Sequence, residues 1–419
     1  MEHALLVNVR LRDRPYRDSW PIEESAHELG ELARSSGLKV LEQVTVDRDR
    51  PTPNYFLGKG KAQELHDRCH ELAANVVVFG EDLSFPQQRN LEDLIDLKVI
   101  DRTQLILDIF ALRARSDEGK VQVELAQLEY LLPRLAGKGI LLSRLGGGIG
   151  TRGPGEQKLE VDRRRIRLRI SRLKKELELI HRRRGVARQK REEEEIPTAA
   201  LIGYTNVGKS TLLNRLTQAE ATARDQLFTT LDPLARRLTL SNHQQVLLSD
   251  TVGFLHRLPH HLIDAFRATL EEVTQSHLLL HVMDASHPMV EEQASAVGEV
   301  LQSLEAEQKP VLLVFNKIDR VNSFILDPLR RRYPEAVCIS AMTGEGIPEL
   351  MDRLMASLGS LLRLATVRIT PKDQHWLDPI YRQGQVLSRR PLDSSFLLEC
   401  RIPNRLYGQL LKAGLISPS

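Results

Sequence analysis

The chain has 419 residues, 41% of them hydrophobic and 27% charged, with a formal net charge of +3. It is too long for one ordinary core, so two to four domains are expected, and the composition is that of a soluble globular protein. The three cysteines, Cys69, Cys338 and Cys400, are widely separated and form no C-x-x-C pair. This argues against a disulfide framework or a zinc site and fits a reducing cytoplasm.

The opening apolar run is shorter than a signal peptide, and the longest apolar runs, such as 311–315, have the length of single strands rather than membrane spans. Residues 1–115 alternate strand-like segments (ALLVNVRL, KVLEQVTV, NVVVFG, KVIDR) with segments of helical spacing. That alternation predicts a small parallel α/β domain. Its turn PNYFLGKGK, residues 53–61, could hold an anion or simply start a helix.

Residues 116–192 differ in character. Leu125, Leu128, Leu132 and Leu135 form one helical seam, and Ile166, Ile170, Leu173, Leu177 and Ile180 form a second with coiled-coil spacing. The loop between them, 137–155, holds eight glycines in 19 positions. Two seams joined in this way predict an antiparallel helical hairpin with a glycine-rich tip. From Val121 to Arg191 there are 19 Lys/Arg against 7 Asp/Glu, a local net of +12 that leaves the rest of the chain near −9. Such asymmetry points to a polyanion partner, and RNA would be held by counterion release. The candidate contacts are Arg163, Arg164 and Arg165, with Arg167 and Arg169 nearby, and Arg144, Gly146, Gly147, Gly148 and Arg152 at the tip. Glycines there would let the backbone approach a phosphate chain closely. The alternative is a solvated helix face. EEEEIP after Arg191 reads as a hinge.

The segment 197–361 again alternates β and α and carries four ordered elements. Gly203, Tyr204, Thr205, Asn206, Val207, Gly208, Lys209 and Ser210 match G-x-x-x-x-G-K-[ST] between an apolar strand and a helix. Such a loop turns successive N–H groups into an anion nest at a helix N-terminus. Lys209 would neutralise the β/γ-phosphates, Ser210 would ligate magnesium, and Thr211 would donate to the inner phosphate. Phe228, Thr229, Thr230, Leu231 and Asp232 follow, with Thr230 expected as a second hydroxyl on magnesium or, alternatively, as part of an ordinary hydroxyl turn. Asp250, Thr251, Val252 and Gly253 form D-x-x-G at a strand end, with Asp250 placed for a magnesium-bound water and Gly253 for the γ-phosphate. Asn316, Lys317, Ile318 and Asp319 form N-K-x-D after another strand. The Asp319 carboxylate can accept both guanine N1–H and the 2-amino group, donors that adenine lacks. Ser340 and Ala341 would close over the guanine carbonyl.

These elements predict GTP as substrate and Mg2+ as cofactor, with Lys209, Thr230 and Gly253 carrying hydrolysis. Phe254 stands where many GTPases have a water-orienting glutamine, so hydrolysis must rest on something else. Asn206 could coordinate a monovalent cation such as K+, or merely stabilise its loop. His260 and His261 read as a surface pair at a helix start. Residues 362–419 predict a few strands and a short helix from 403.

PNYFLGKGKAQEL, QQRNLED, KVIDRTQLILDIFALRARSDEGKVQVELAQLEYLLPRL and LSRLGGGIGTRGPGEQKLEVDRRRI, ahead of the nucleotide motifs, resemble the HflX family of ribosome-associated GTPases in the Obg–HflX group. The resemblance implies four parts: an N-terminal α/β domain (1–115), an antiparallel helical hairpin (116–192), a P-loop GTPase domain with a doubly wound, mostly parallel sheet (197–361), and a small C-terminal α+β domain (362–419). It also implies binding to the large ribosomal subunit and its RNA, splitting of stalled or stress-inactivated ribosomes, and a hairpin loop that reaches the peptidyl transferase region. A cytoplasmic monomer without stable membrane insertion is expected, with partial membrane association left open. The competing readings are a signalling GTPase whose hairpin binds a protein and a peripheral membrane regulator.

Overall fold

The computed structural model describes residues 2–13, 20–143, 154–193, 196–218, 228, 234–242, 244–257, 259, 267–360, 362–392 and 395–416. The chain divides into two compact units. The first is Met1–Ile180 with Gln226–Leu231 and Pro259–Phe266; the second is His181–Asp225, Asp232–Leu258 and Arg267–Ser419.

In the first unit, β1 (His3–Leu11), β2 (Lys39–Arg48), β3 (Val76–Phe79) and β4 (Lys98–Ile100) form a parallel sheet in the order β2-β1-β3-β4. Its central strands are buried on both faces, which is why they read as continuous apolar runs. Helices α1 (Ile22–Ser35), α2 (Lys59–Leu72) and α3 (Phe85–Ile95) connect the strands, and α4 (Arg102–Arg113) follows β4. Leu5, Val7 and Val9 of β1 share one core with Phe79, Leu91 and Ile95. The PNYFLGKGK turn leads into α2, with Gly58 as N-cap and Lys59 as first helical residue.

Asp101 caps α4, accepting from Gln104 N–H at 2.9 Å. It is wholly buried and also accepts from Tyr130 Oη at 2.8 Å and Arg134 Nη2 at 2.9 Å. Burial raises the Asp101 carboxyl above the usual range, against the Gln104 N–H, the Tyr130 hydroxyl and the Arg134 charge, which pull it down. Arg134 further donates to Leu83 O at 3.1 Å and stacks 3.3 Å over the Tyr130 ring. These contacts fasten the next helix to the sheet.

That helix, α5 (Asp117–Ser143), pairs with α6 (Pro154–Glu193). Val121, Leu125 and Leu128 pack against Ile170, Leu173 and Leu177. The start of α5 thus meets the middle of α6, as two helices folded back into a hairpin do. Leu132 and Leu135 are half-buried and fall outside this cluster. The tip residues Arg144, Gly146, Gly147, Gly148 and Arg152 lie outside the described residues. Arg164 and Arg165 are exposed, and Arg163 is half-buried. Arg169 is not a free cation as its place in the arginine run suggests, because it grips Glu124 through two bonds of 2.6 and 2.7 Å. Glu124 is one of the seven acids already counted in that segment, so the pair leaves its net charge of +12 unchanged and only takes Arg169 out of the free arginines. Helix α6 runs on through Arg191 to Glu193, so the acidic run begins inside the helix.

In the second unit, β5 (Thr198–Ile202), β6 (Leu234–Thr239), β7 (Gln245–Asp250), β8 (Leu278–Asp284), β9 (Val311–Asn316) and β10 (Val337–Cys338) are ordered β10-β9-β8-β5-β7-β6. All pair in parallel except β6 with β7. Helices α7 (Lys209–Thr217), α8 (Arg267–Gln275), α9 (Val290–Ser303), α10 (Ser323–Arg332) and α11 (Ile347–Ser360) complete the doubly wound layer. The strand order reverses direction at β5, the switch point where such sheets open a crevice at their carboxyl ends. The same unit holds an antiparallel sheet of β11 (Arg363–Ile369), β12 (Gln385–Leu392) and β13 (Ser395–Ile402), ordered β11-β13-β12. Helices α12 (Leu377–Gln383) and α13 (Asn404–Lys412) cover it around Val367, Ile380, Leu398 and Leu410. Among the described residues no helix is long and apolar enough to cross a membrane.

Candidate nucleotide site

The site grows from the carboxyl end of β5. Ala199 to Ile202 are buried between β7 and β8, so the chain must leave the sheet sharply at Gly203. Gly203 takes φ +147°, and a Cβ there would lie 2.2 Å from Val282 O, which no side chain tolerates. Asn206 at φ 61° and Gly208 at φ 93° alternate in hand with Val207 between them, turning consecutive N–H groups to one side of the loop. A Cβ on Gly208 would lie 2.4 Å from Asn316 Nδ2.

Lys209 opens α7 and is buried, its ammonium donating to Gly203 O at 3.0 Å and Tyr204 O at 2.7 Å. Desolvation pulls it down to about 8, opposed by the charge of Asp250. Ser210 Oγ donates to Asp250 Oδ2 at 2.6 Å, so the hydroxyl predicted as a magnesium ligand and the carboxylate predicted to hold a magnesium-bound water, 40 residues apart, meet at the foot of the loop. Thr251 is tied to Leu201 O at 2.6 Å, fixing the end of β7 against β5.

The D-x-x-G segment lies along the Gly203–Gly208 loop. Thr205 N–H donates to Phe254 O at 2.8 Å and Phe254 N–H to Gly203 O at 3.1 Å. A Cβ on Gly253 would meet Thr205 Cα at 2.8 Å and Lys209 Nζ at 3.1 Å, so only glycine lets the two segments close. Phe254 is 1% exposed: its ring is a core residue. Tyr204 Oη accepts from His256 N–H at 2.7 Å and strengthens the same pairing.

Asn316 braces two loops. Its buried amide donates to Val207 O at 2.8 Å and accepts from Ala341 N–H at 2.9 Å. Lys317 takes φ 64°, and its ammonium pairs with Asp284 at 2.7 Å. Asp319 is exposed on the short 3-10 turn Ile318–Arg320. Ser340 is buried and its hydroxyl accepts from Thr343 N–H at 3.1 Å, which rounds the last loop.

Two contacts escape sequence reasoning. Arg215, in the last turn of α7, donates to Ala341 O at 3.1 Å and to Met342 O, joining α7 to the Ser340–Ala341 loop. Asp284 holds Lys317. The only sequence hints were a basic residue at a helix end and an acid at a strand end. His281 on β8 is buried, and burial, then the Lys209 charge, lowers it to about 4. Phe228 is buried, its ring edge to face with that of Phe110, centroids 4.6 Å apart. Thr229, Thr230, Leu231, Asp232, His260 and His261 lie outside the described residues. Among the described residues no cluster of three or more His, Cys, Asp or Glu could hold a metal.

Four family descriptions match in series: "GTP-binding GTPase N-terminal" over 23–111, "GTP-binding GTPase Middle Region" over 113–191, "50S ribosome-binding GTPase" over 198–317 and "HflX C-terminal domain" over 330–410. GTPase HflX of Lacrimispora saccharolytica is 47% identical over 410 residues, covering 98% of this chain and 95% of that protein. GTPase HflX of Escherichia coli is 45% identical over 407 residues, covering 96% and 94%. Among solved structures, a GTP-binding protein of Sulfolobus solfataricus in complex with GDP is similar at 24% identity and a TM-score of 0.45, covering 86% of this chain and 100% of that one. Similarity of this degree to curated relatives, along nearly the whole length, makes the chain a member of the HflX family of GTPases.

Proposed function

We propose that this GTPase binds GTP with magnesium at the β5–α7 loop, and that the γ-phosphate controls its affinity for the large ribosomal subunit. The observation that carries the nucleotide reading is the meeting of Ser210, Asp250 and Lys209 at one loop that Asn316 ties to the guanine side. The donor set suits magnesium: Ser210 and Thr230 would supply hydroxyl oxygens, and Asp250 would act through water. When bound, the ion neutralises charge on the β- and γ-phosphate oxygens. In hydrolysis water attacks the γ-phosphorus, the bond to the bridging oxygen breaks, and GDP and phosphate leave. Lys209 stabilises charge on the β/γ oxygens, and the Gly253 N–H meets the γ-phosphate. Phe254 orients no water. Asn206, exposed in the loop, would instead hold a K+ ion beside the phosphates; equal rates in potassium and sodium would remove that assignment. Asp319 selects guanine, Lys317 lies over the base with its ammonium on Asp284, and Ala341 closes the loop.

The basic hairpin is the proposed ribosomal RNA contact, through Arg163, Arg164 and Arg165 and the tip Arg144, Gly146, Gly147, Gly148 and Arg152. The "50S ribosome-binding GTPase" description matched over 198–317 supports a ribosomal partner. In this reading the protein acts in the cytoplasm on stalled or stress-inactivated ribosomes and parts their subunits. The test is sedimentation of ribosomes with the protein and GTP, a non-hydrolysable analogue or GDP, beside Asp319→Asn. Binding to large subunits in the triphosphate form only, weakened GTP affinity in Asp319→Asn, and dissociation of 70S particles are expected. Indifference to nucleotide would defeat the proposal. A protein or lipid partner for the hairpin is favoured by one feature, the aliphatic residues Val161, Leu168 and Leu179, 48–55% exposed along the basic helix α6. Binding that persists in high salt without ribosomal RNA would support it.

A further inference from the structure

Thr205 stands within the Gly203–Ser210 loop and is 6% exposed. Its hydroxyl has no hydrogen-bond partner among the described residues. Other hydroxyls of the site do: Ser210 donates to Asp250 Oδ2 at 2.6 Å, and Thr251 donates to Leu201 O at 2.6 Å. Leaving a buried hydroxyl unpaired costs about 1–3 kcal/mol, and a valine of the same shape would incur none of it. Packing accounts for the threonine methyl, since Thr205 Cγ2 lies 2.8 Å from where a Cβ on Gly253 would stand. It does not account for the oxygen.

Thr205 Cα also lies 2.8 Å from that point, and Lys209 Nζ lies 3.1 Å from it. Thr205 N–H donates to Phe254 O at 2.8 Å, which keeps the two segments together. Thr205, Gly253 and Lys209 therefore converge on one spot, and all three belong to the second compact unit. Gly253 and Lys209 are the groups assigned above to the γ-phosphate. A hydroxyl beside them offers one donor and two acceptor positions. The attacking water needs an acceptor to fix its direction, and the buried Phe254 ring offers none. A cation beside Asn206 would supply charge and leave that direction unset.

We infer, resting on the guanine-nucleotide reading above, that Thr205 is a catalytic residue whose hydroxyl donates to a γ-phosphate oxygen and accepts from the attacking water. The water oxygen bonds to the γ-phosphorus as the bond to the bridging oxygen breaks, and that electron pair leaves with GDP. Of the two water protons, one stays on the phosphate product and one passes to solvent. Thr205 keeps its own proton throughout.

The experiment compares full-length wild type, Thr205→Val and Thr205→Ser in single-turnover GTP hydrolysis. Affinity for GDP and for a non-hydrolysable GTP analogue, and thermal unfolding without nucleotide, are measured on each. Thr205→Val should slow hydrolysis at least about tenfold, with GDP affinity within about threefold and analogue affinity falling less than the rate does. Its unfolding temperature should match or exceed that of wild type, because an unpaired buried hydroxyl has gone. Thr205→Ser keeps the hydroxyl and should recover the rate to within about threefold of wild type. Hydrolysis by Thr205→Val within about threefold of wild type would overturn the inference. So would an equal loss in Thr205→Ser, which would assign the effect to the methyl. A clear drop in the Thr205→Val unfolding temperature would also overturn it, by giving the hydroxyl a partner inside the fold. A wild type that binds neither GDP nor the analogue would remove the nucleotide reading, and this inference with it.

Discussion

Asn316→Ala tests the brace between the two halves of the nucleotide site. The side chain is 2% exposed and makes two hydrogen bonds, to Val207 O at 2.8 Å and from Ala341 N–H at 2.9 Å. Truncation leaves the buried Val207 carbonyl and the buried Ala341 N–H without their partner. Orphaning a buried backbone group costs about 1–3 kcal/mol, so the two together lose about 2–4 kcal/mol where some water enters the space. That strain falls on loops whose geometry the nucleotide requires, and so on binding: about 30- to 1,000-fold in affinity. Asn316 touches nothing specific to a third phosphate, so GDP and GTP should weaken by the same factor. Isothermal titration with both nucleotides reads this directly, and thermal unfolding of the nucleotide-free protein reads how much falls on the fold instead. A change below about threefold for both nucleotides, with an unchanged unfolding temperature, would show that the loops hold their geometry without the brace.

Phe254→Gln should not restore a water-orienting glutamine, because the side chain at 254 sits in the core and its backbone is bonded to Gly203 and Thr205. A buried amide without partners costs about 1–3 kcal/mol, so a lower unfolding temperature and no gain in kcat are expected; a tenfold rise in kcat would contradict the geometry. His281 titrates near 4 in the folded chain, held down by burial and then by Lys209, against about 6.5 unfolded. The native state therefore resists protonation, stability is full above the unfolded value, and it falls as pH drops from about 6.5 towards 4, by about 2 kcal/mol at pH 5. His281→Leu should flatten that loss, seen as a smaller shift of the urea midpoint between pH 7 and pH 5, and an unchanged shift would refute it. Arg134→Met strands the buried Asp101 carboxyl and should cost about 3 kcal/mol. Asp101→Asn in the same background should recover part of that loss in urea unfolding, and no recovery would mean that packing of Arg134, not its charge, holds α5.

What was legible in the sequence had a local cause. Gly203, Gly208 and Gly253 are readable because each stands where a Cβ would strike a neighbour within 2.8 Å, and a glycine at fixed spacing is the trace such a collision leaves. Asp250 and Asn316 end buried strands, where a polar residue after an apolar run stands out. The hairpin seam was readable at Leu125, Leu128, Ile170, Leu173 and Leu177 because a helix repeats its buried face along the chain. Pairings set by tertiary approach leave no such trace. Arg215 finds Ala341 across 126 residues, and Arg134 finds Asp101 across 33. Composition counts Arg169 and Glu124 separately, and only the fold shows that they pair across 45 residues.

Phe254 shows the same limit from the other side. Read along the chain it is the absence of a glutamine. In space it is an anchor whose N–H and carbonyl both bond the phosphate loop, with its ring in the core. An apolar residue here holds Gly253 against Thr205 and Lys209, and a polar side chain, seeking water, would pull that contact open. The position is therefore constrained by the closing of the loop before any question of catalysis arises. The buried Phe254 ring is not available to orient a water.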